Sequence, residues 1–101
     1  MISETWIREC TETDHYRYSR HADHERQNDT LSLAEIEQAL ISGRIIERYP
    51  DTGRGESCLL VGFTDAGKPI HVVCGAMDDW LVIVTVYIPT PPKFKNPYER
   101  G

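Results

Sequence analysis

The chain has 101 residues, 40% of them hydrophobic and 27% charged, which fits one globular domain (residues 1–101) with a single core. No apolar run reaches the roughly 18 residues of a membrane span, and the first four residues lack the basic start of a signal peptide, so we expect a cytoplasmic protein without a membrane partner. The net charge of −5 disfavours bulk nucleic-acid binding, although the deficit lies entirely in residues 1–40.

The three cysteines are an odd number and contain no C-x-x-C pair, which predicts neither a disulfide framework nor a zinc ribbon. Cysteine is among the most frequently buried residue types. We therefore expect Cys10, Cys58 and Cys74 to be reduced and mostly buried.

The first part of the chain is predicted to be helical. Residues 1–12 form an N-terminal arm, in which Ser3 can cap a short amphipathic turn. Residues 13–43 are predicted to form two helices, of which the first runs from Thr13 to about Gln27 and has a weak apolar pattern. The second begins with a capping box at Ser32 and ends at Gly43, where we expect a left-handed stop.

Residues 44–90 change to a period of two, which predicts four antiparallel strands joined by short turns. One turn contains Gly67 at a positive φ angle. In the last strand one parity is wholly apolar and is expected to be sealed in the core: Trp80, Val82, Val84, Val86 and Ile88. Prolines make the tail, residues 91–101, irregular. The fold class is therefore α+β, with two or three N-terminal helices on one face of a four-stranded antiparallel sheet.

Polar side chains that could carry chemistry lie near the end of the last two strands. Thr85 and Tyr87 share one face, and His71 lies in the preceding strand, which should be half-buried. A two-residue hairpin loop opposes His71 to Val86, whereas a three-residue loop centred on Asp79 opposes it to Tyr87. The sequence leaves this register open, and a structural role for each of these side chains remains an alternative.

Three of the four histidines, His15, His21 and His24, lie in the first predicted helix. His21 and His24 are three residues apart and can share a helix face, so a metal site is conceivable. Helical zinc pairs more often have a spacing of four, and ordinary surface histidines match equally well. A catalytic or partner-binding His21 is the third alternative.

Several short sequence blocks occur in a fixed order: Ser19-x-His21-Ala22, Leu31-Ser32-x-x-Glu35-Ile36 with its continuation to Pro50, Pro69-Ile70-His71-Val72-Val73, and Val84-Thr85-Val86-Tyr87-x-Pro89. Over roughly residues 15–95 the chain thereby resembles the bacterial family catalogued as domain of unknown function 4258. That resemblance implies a RelE-like layout, in which the exposed face of the sheet cuts RNA without a metal or other cofactor. It also implies a zinc-finger antitoxin as partner, similar to the MqsR arrangement, and functional positions at His21, His71, Thr85 and Tyr87.

Two functions follow as hypotheses. The first is a toxin of a toxin–antitoxin pair that acts as a metal-independent endoribonuclease, which needs a base, an acid and a cation at the phosphate. The candidates are His71 or His21 as base, Tyr87 or the other histidine as acid, and Arg26, Arg48 or Lys93 as cation. The alternative is a non-catalytic module that binds a zinc-finger antitoxin-like partner through a strand edge or a sheet face.

Overall fold

The computed structural model describes residues 2–50, 55–90 and 94–100. The helices are α1 (Glu4–Glu12), α2 (Arg20–Asn28) and α3 (Leu33–Ser42). The strands are β1 (Tyr16–Tyr18), β2 (Arg44–Tyr49), β3 (Ser57–Phe63), β4 (Pro69–Met77), β5 (Trp80–Tyr87), β6 (Phe94–Asn96) and β7 (Glu99–Arg100). The first five strands form one sheet in the order β1-β5-β4-β3-β2, and the last two pair with each other.

The prediction of an α+β fold is confirmed, but the prediction of four antiparallel strands is wrong, because β1 adds a fifth strand parallel to β5. Asp14 has a positive φ angle of 57°, which ends α1 and turns the chain. The His15 carbonyl then accepts the Leu81 amide at 3.1 Å and starts the parallel pairing. A helix over the whole of residues 13–27 is therefore also wrong. The α2 helix begins only after Ser19, whose hydroxyl caps the Ala22 amide.

The other two helices begin where the sequence indicates. Ser3 caps the Trp6 amide of α1, and the predicted capping box of Ser32 and Glu35 is present in full. The prediction that Gly43 ends the helix in a left-handed conformation is wrong, since the φ and ψ angles of Gly43 are −70° and 153°. Gly43 is needed for space instead, because a Cβ atom there would overlap the Leu60 side chain.

The helices cover one face of the sheet and form the hydrophobic core with it. The strands contribute alternate side chains to this core, namely Cys58, Leu60, Ile70, Val72, Cys74, Leu81, Ile83 and Val86. Cys10, Cys58 and Cys74 are free thiols and all three are buried, as predicted. Gly62 lets α3 approach β3 closely, because a Cβ atom there would collide with the Ala39 carbonyl.

The β4–β5 hairpin combines both registers that the sequence leaves open. Met77 pairs with Trp80 across a two-residue loop, and this register continues to the pair of Cys74 and Ile83. A β-bulge then inserts Val84, so that Val73 pairs with Thr85. A two-residue loop is therefore compatible with a direct pairing of His71 and Tyr87.

The bulge also explains why the buried face predicted for β5 is wrong over its first half. Before the bulge, the core residues of β5 are Leu81 and Ile83, both 0% exposed. After the bulge, the core residue is Val86, which belongs to the apolar series that was predicted to be buried. Trp80 and Val84 are each 38% exposed, so the apolar parity that was predicted to be buried is exposed at these positions. An inserted residue exchanges the two faces of a strand, which explains the difference.

The tail also differs from the irregular segment predicted, because β6 and β7 form a short antiparallel hairpin. Its connecting residues, Pro97 and Tyr98, contact the sheet on the face opposite the helices. We call this the outer face. None of the described helices could cross a membrane, since the longest, α3, has only 10 residues.

Candidate active site

One row of directly paired residues crosses the outer face of the sheet. Arg44 on β2 pairs with Val61, Val61 pairs with His71, and His71 pairs with Tyr87. Paired residues of adjacent strands share a face, and the neighbouring positions Leu60, Val72 and Val86 belong to the core. The row therefore points away from the helices. It brings together two of the predicted site residues, His71 and Tyr87.

His71 is fully enclosed in this row, with 0% of its surface exposed. Its Nε2 atom lies 2.6 Å from the Pro97 carbonyl oxygen, and its Nδ1 atom lies 3.3 Å from the Tyr87 hydroxyl. The imidazole and phenol rings are 5.3 Å apart between centroids. The tail hairpin therefore closes over His71, whereas Tyr87 is only half-buried.

The Pro97 carbonyl fixes the proton of the imidazole. A carbonyl oxygen can only accept, so Nε2 of His71 carries a hydrogen and donates it. In the neutral ring Nδ1 then has a free electron pair, which accepts the hydroxyl hydrogen of Tyr87. The result is an oriented series of hydrogen bonds in which His71 can take a proton from the half-buried phenol. An imidazole held in this way is a base for the hydroxyl that it contacts.

The predicted residue Thr85 lies next to this row on the same face. It pairs with Val73 and is two residues before Tyr87, so its half-buried side chain follows the outer parity of β5 beyond the bulge. On the covered half of the outer face the neighbouring residues Leu59 and Val61 are 0% and 1% exposed. We call this region, with His71 and Tyr87 beneath Pro97 and Tyr98, the capped half.

His21 lies on α2 beside the edge of β5, and Glu25 connects it to the strand that carries Tyr87. Its Nε2 atom is 3.3 Å from Glu25 Oε2, and Glu25 Oε1 accepts the Val86 amide at 3.1 Å. Ser19 and Asp29 bind the same strand edge, at the Val84 carbonyl and the Ile88 amide. These side chains replace the hydrogen bonds that a longer β1 would supply.

Arg26 lies on the helix-covered side, apart from His71. Its guanidinium binds Asp23 at 2.9 Å, and its charge acts on Tyr18, whose ring packs against the core. Burial raises the pKa of Tyr18 well above its ordinary value, and the charge of Arg26 opposes this only in part. Tyr18 therefore stays a neutral phenol. The cation candidate Arg48 pairs with the core residue Cys58 and donates to the Ile2 carbonyl, so it also belongs to the helix-covered side.

Sequence reasoning missed three residues of the capped half: Arg44, Pro97 and Tyr98. Arg44 enters the His71 row because a bulge at Ile46 shifts the register of β2 against β3, and no turn residue marks that bulge in the sequence. Tyr98 lies over Phe63 with 6.1 Å between ring centroids, and the Arg44 guanidinium lies 4.7 Å from the Tyr98 centroid. The aromatic and proline content of the tail was the available signal. Lys93, the remaining cation candidate, lies outside the described residues.

The other half of the outer face contains a cavity of about 470 Å³, whose described lining residues include none from the tail. The residues that line it include Tyr49, Ser57, Gly75, Val82 and Val84. We call this region the open half. It is mainly apolar, and Met77 beside it is 54% exposed.

The remaining candidates are the helix histidines and the cysteines, and among the described residues they do not form a site that a substrate could reach. His15 stacks on Trp80 at 4.4 Å, and no group of three metal-binding side chains occurs within the described part of the chain. Cys58 and Cys74 face each other across β3 and β4 in the core. A hydrogen bond from the Cys74 thiol lowers the pKa of Cys58, while that contact and burial raise the pKa of Cys74. Both side chains are fully buried, so this pair is not open to a substrate.

The family model described as Domain of unknown function (DUF4258) matches residues 18–88. The chain belongs to this family. The DUF4258 match contains His21, Arg26, His71, Thr85 and Tyr87, and it ends before the β6–β7 hairpin that encloses the imidazole. No curated protein and no solved structure matches the chain.

Proposed function

We propose that this DUF4258 protein is a metal-independent endoribonuclease and acts as a RelE/MqsR-like toxin. The observation that carries the proposal is the series of hydrogen bonds from Tyr87 through His71 to the Pro97 carbonyl on the outer face. It gives a half-buried phenol a proton acceptor behind it. RNA brings its own nucleophile, the 2′-hydroxyl, so the protein need only remove one proton, supply another and stabilise the phosphate.

In the proposed reaction Tyr87 is the group that touches the substrate. Its oxygen accepts the 2′-hydroxyl proton while its own proton passes to Nδ1 of His71, and the Pro97 carbonyl holds the resulting imidazolium. The 2′-oxygen attacks the phosphorus atom as the bond to the 5′-oxygen breaks, and a general acid protonates that leaving oxygen. The products are a 2′,3′-cyclic phosphate and a free 5′-hydroxyl. His71 is fully buried, so it acts through Tyr87 as a positioning and proton-accepting residue.

The other predicted residues have supporting roles in this proposal. Thr85 lies on the same face two residues before Tyr87, and its proposed role is to donate a hydrogen bond to a phosphate oxygen. His21 is the candidate acid for the leaving oxygen, since Glu25 connects it to the Val86 amide next to Tyr87. Arg26 lies on the far side of the sheet from His71 and holds α2 through Asp23. A role at the phosphate would require Arg26 to leave that position.

The direct test is the rate at which the purified chain cleaves a short single-stranded RNA. Tyr87→Phe removes the hydroxyl and keeps the ring, and we expect the rate to fall by about 10²- to 10⁴-fold. Tyr49→Phe removes a hydroxyl from the open half and is the matched control, with an expected change below about threefold. Induction in a bacterial host should arrest growth in the wild type and in Tyr49→Phe but not in Tyr87→Phe. Normal growth with abundant folded wild-type protein, or full cleavage by Tyr87→Phe, would refute the proposal.

A second function has a specific observation in its favour. The open half exposes Met77 and Val84 beside the 470 Å³ cavity, as expected of a surface that binds another protein. Ser19, Glu25 and Asp29 already bind the edge of β5, so docking on the face is favoured over strand addition at β5. In this alternative the chain is a non-catalytic module for a zinc-finger antitoxin-like partner.

The two functions can be separated with one variant in the open half. A valine at Gly75 would fill the cavity, because a Cβ atom there has only ordinary contacts, at 3.7 Å to Val84 and 3.8 Å to the Glu56 carbonyl. If the second function holds, Gly75→Val reduces co-purification of the co-expressed zinc-finger protein by at least tenfold. Ile41→Ala, on an exposed position of α3, should leave co-purification unchanged. A complex that survives Gly75→Val would exclude docking at the open half.

A further inference from the structure

A cluster of one cation and two aromatic rings lies beside the His71 row. The Arg44 guanidinium lies 4.7 Å from the centroid of the Tyr98 ring, and the Phe63 ring lies 6.1 Å from it on the sheet. Tyr98 is 43% exposed and Arg44 is also exposed. The cluster therefore presents a stacking surface and a positive charge to solvent.

This cluster is directly connected to the proposed reaction centre. Tyr98 directly follows Pro97, whose carbonyl binds His71, and Arg44 begins the row that contains His71 and Tyr87. Adjacent strands are about 4.8 Å apart, so Arg44 on β2 is roughly 14 Å from Tyr87 on β5, measured between backbones. A single strand that follows the outer face from β2 to β5 can therefore contact both residues.

We propose that Arg44 and Tyr98 form a nucleotide-binding subsite, in which a base of single-stranded RNA stacks against the exposed pair of the Arg44 guanidinium and the Tyr98 ring, and the adjacent phosphate pairs with Arg44. This inference rests on the proposed function, since it assigns the substrate as single-stranded RNA that extends across the capped half. Bases in single strands stack readily on tyrosine and on guanidinium groups, whereas duplex bases are not available for such contacts. Phe63 supports the Tyr98 ring from below.

The molecule contains a second cation–aromatic cluster that serves as a control. Arg17 lies 5.9 Å from the Trp80 ring, and Trp80 is 38% exposed. This cluster is at the opposite end of the β4–β5 hairpin, beside Asp78 and Asp79 of the turn. Two carboxylates next to it oppose a phosphate, so we expect no RNA contact there.

Binding can be measured separately from cleavage with a fluorescent 2′-O-methyl RNA of about ten nucleotides, which lacks the attacking hydroxyl. Fluorescence anisotropy should show that Tyr98→Leu raises the Kd about tenfold, whereas Tyr98→Phe changes it by less than twofold. Arg44→Gln should raise the Kd about tenfold and lower the slope of log Kd against log salt concentration by about one, as expected for one lost phosphate contact. Arg44→Lys should have an intermediate effect. Trp80→Leu and Arg17→Gln should bind like the wild type. A duplex of the same sequence should bind at least tenfold more weakly.

The inference is overturned if Tyr98→Leu and Arg44→Gln both bind like the wild type, if Trp80→Leu weakens binding equally, or if the wild type does not bind the single strand. Arg44 is an exposed side chain, so Arg44→Gln remains informative if Tyr98→Leu loosens the tail. Cleavage of unmodified RNA is assayed in parallel. Binding that depends on Tyr98 without any cleavage would refute the ribonuclease and keep the subsite. Cleavage with unchanged binding in both variants would refute the subsite and keep the ribonuclease.

Discussion

The outer face of the sheet has two halves that are built from the same strands and differ in almost every other respect. In the capped half His71 and Val61 are 0% and 1% exposed beneath the tail hairpin. In the open half Gly75 and Val82 line a cavity instead, about 13 Å further along β4, because Gly75 is four residues from His71. The bulge at Val84 lies between them.

The difference shows that the tail, and not the hairpin alone, creates the candidate site. Both halves contain a tyrosine, Tyr87 in one and Tyr49 in the other, but their partners differ. Tyr87 meets a buried imidazole whose other nitrogen is fixed by the Pro97 carbonyl, whereas the Tyr49 hydroxyl donates to the carboxylate of Glu47 at 2.6 Å. The first arrangement has an imidazole behind the phenol, and the second has a carboxylate. Exposure of a polar side chain is therefore a poor guide to its chemistry in this protein.

The largest expected difference between the halves is at His71 itself. His71→Leu removes an imidazole whose hydrogen bonds join Tyr87 to Pro97, so two polar groups lose this partner in a closed environment. We expect the free energy of unfolding to fall by about 2–4 kcal/mol, measured by urea denaturation. His71→Gln can still donate to the Pro97 carbonyl and should lose about half as much. A loss below about 0.5 kcal/mol for His71→Leu would mean that the capped half is not held together by this residue.

The next test compares two valines of the same sheet. Val61 is 1% exposed in the capped half and Val84 is 38% exposed in the open half. Val61→Ala should leave a cavity under the tail and cost about 2 kcal/mol, whereas Val84→Ala should cost no more than about 0.5 kcal/mol. The two variants remove the same atoms, so equal losses would contradict the division of the outer face.

A pair of strand glycines, Gly75 in the open half and Gly62 beneath α3, gives a smaller difference. A Cβ atom at Gly75 has only ordinary contacts, so Gly75→Val should leave the free energy of unfolding unchanged within about 0.5 kcal/mol. Gly62→Ala is the matched contrast, because its Cβ atom would collide with the Ala39 carbonyl and should cost about 1–3 kcal/mol. The free energies of unfolding of both variants can be measured by urea denaturation. A strong loss in Gly75→Val would show that the open half is more tightly packed than its exposure indicates.

The sequence predicts the regular parts of this fold but not its β-bulges or its shortest strands. The capping box at Ser32, the helix that begins after it and the turn at Gly67 with a φ angle of 86° all follow from local chemistry and agree with the structure. The failures have two physical causes. The bulges at Ile46 and Val84 shift the register without any turn residue, so the faces of β2 and β5 cannot be read from alternation alone.

The second cause is that short strands depend on distant partners. β1 has three residues and exists because Leu81–Ile83 pair with it, and the tail hairpin has no apolar alternation of its own. The contact of His71 with Tyr87 was among the open alternatives, but the Pro97 carbonyl that fixes the imidazole is 26 residues away in sequence. No local pattern encodes such a contact.

The smallest expected effect concerns acid and the strand that carries Arg44. Glu4 Oε2 accepts the amide of Ile45, the residue after Arg44, at 3.2 Å. Backbone hydrogen bonds, first from the Glu4 amide and then from Ile45, lower the pKa of Glu4 below its usual 4.5. A carboxylate with a lowered pKa stabilises the fold fully above its unfolded pKa, and this stabilisation is lost as the pH falls through the folded value.

Glu4→Gln should therefore lower the free energy of unfolding by less than about 1 kcal/mol at pH 7. Between pH 5 and 3 it should show a smaller further loss than the wild type. Glu9→Gln, on an exposed position of the same helix, should follow the wild type in urea titrations at both ends of this range. An unchanged acid loss in Glu4→Gln would mean that β2, and with it the outer border of the capped half, is held without this carboxylate.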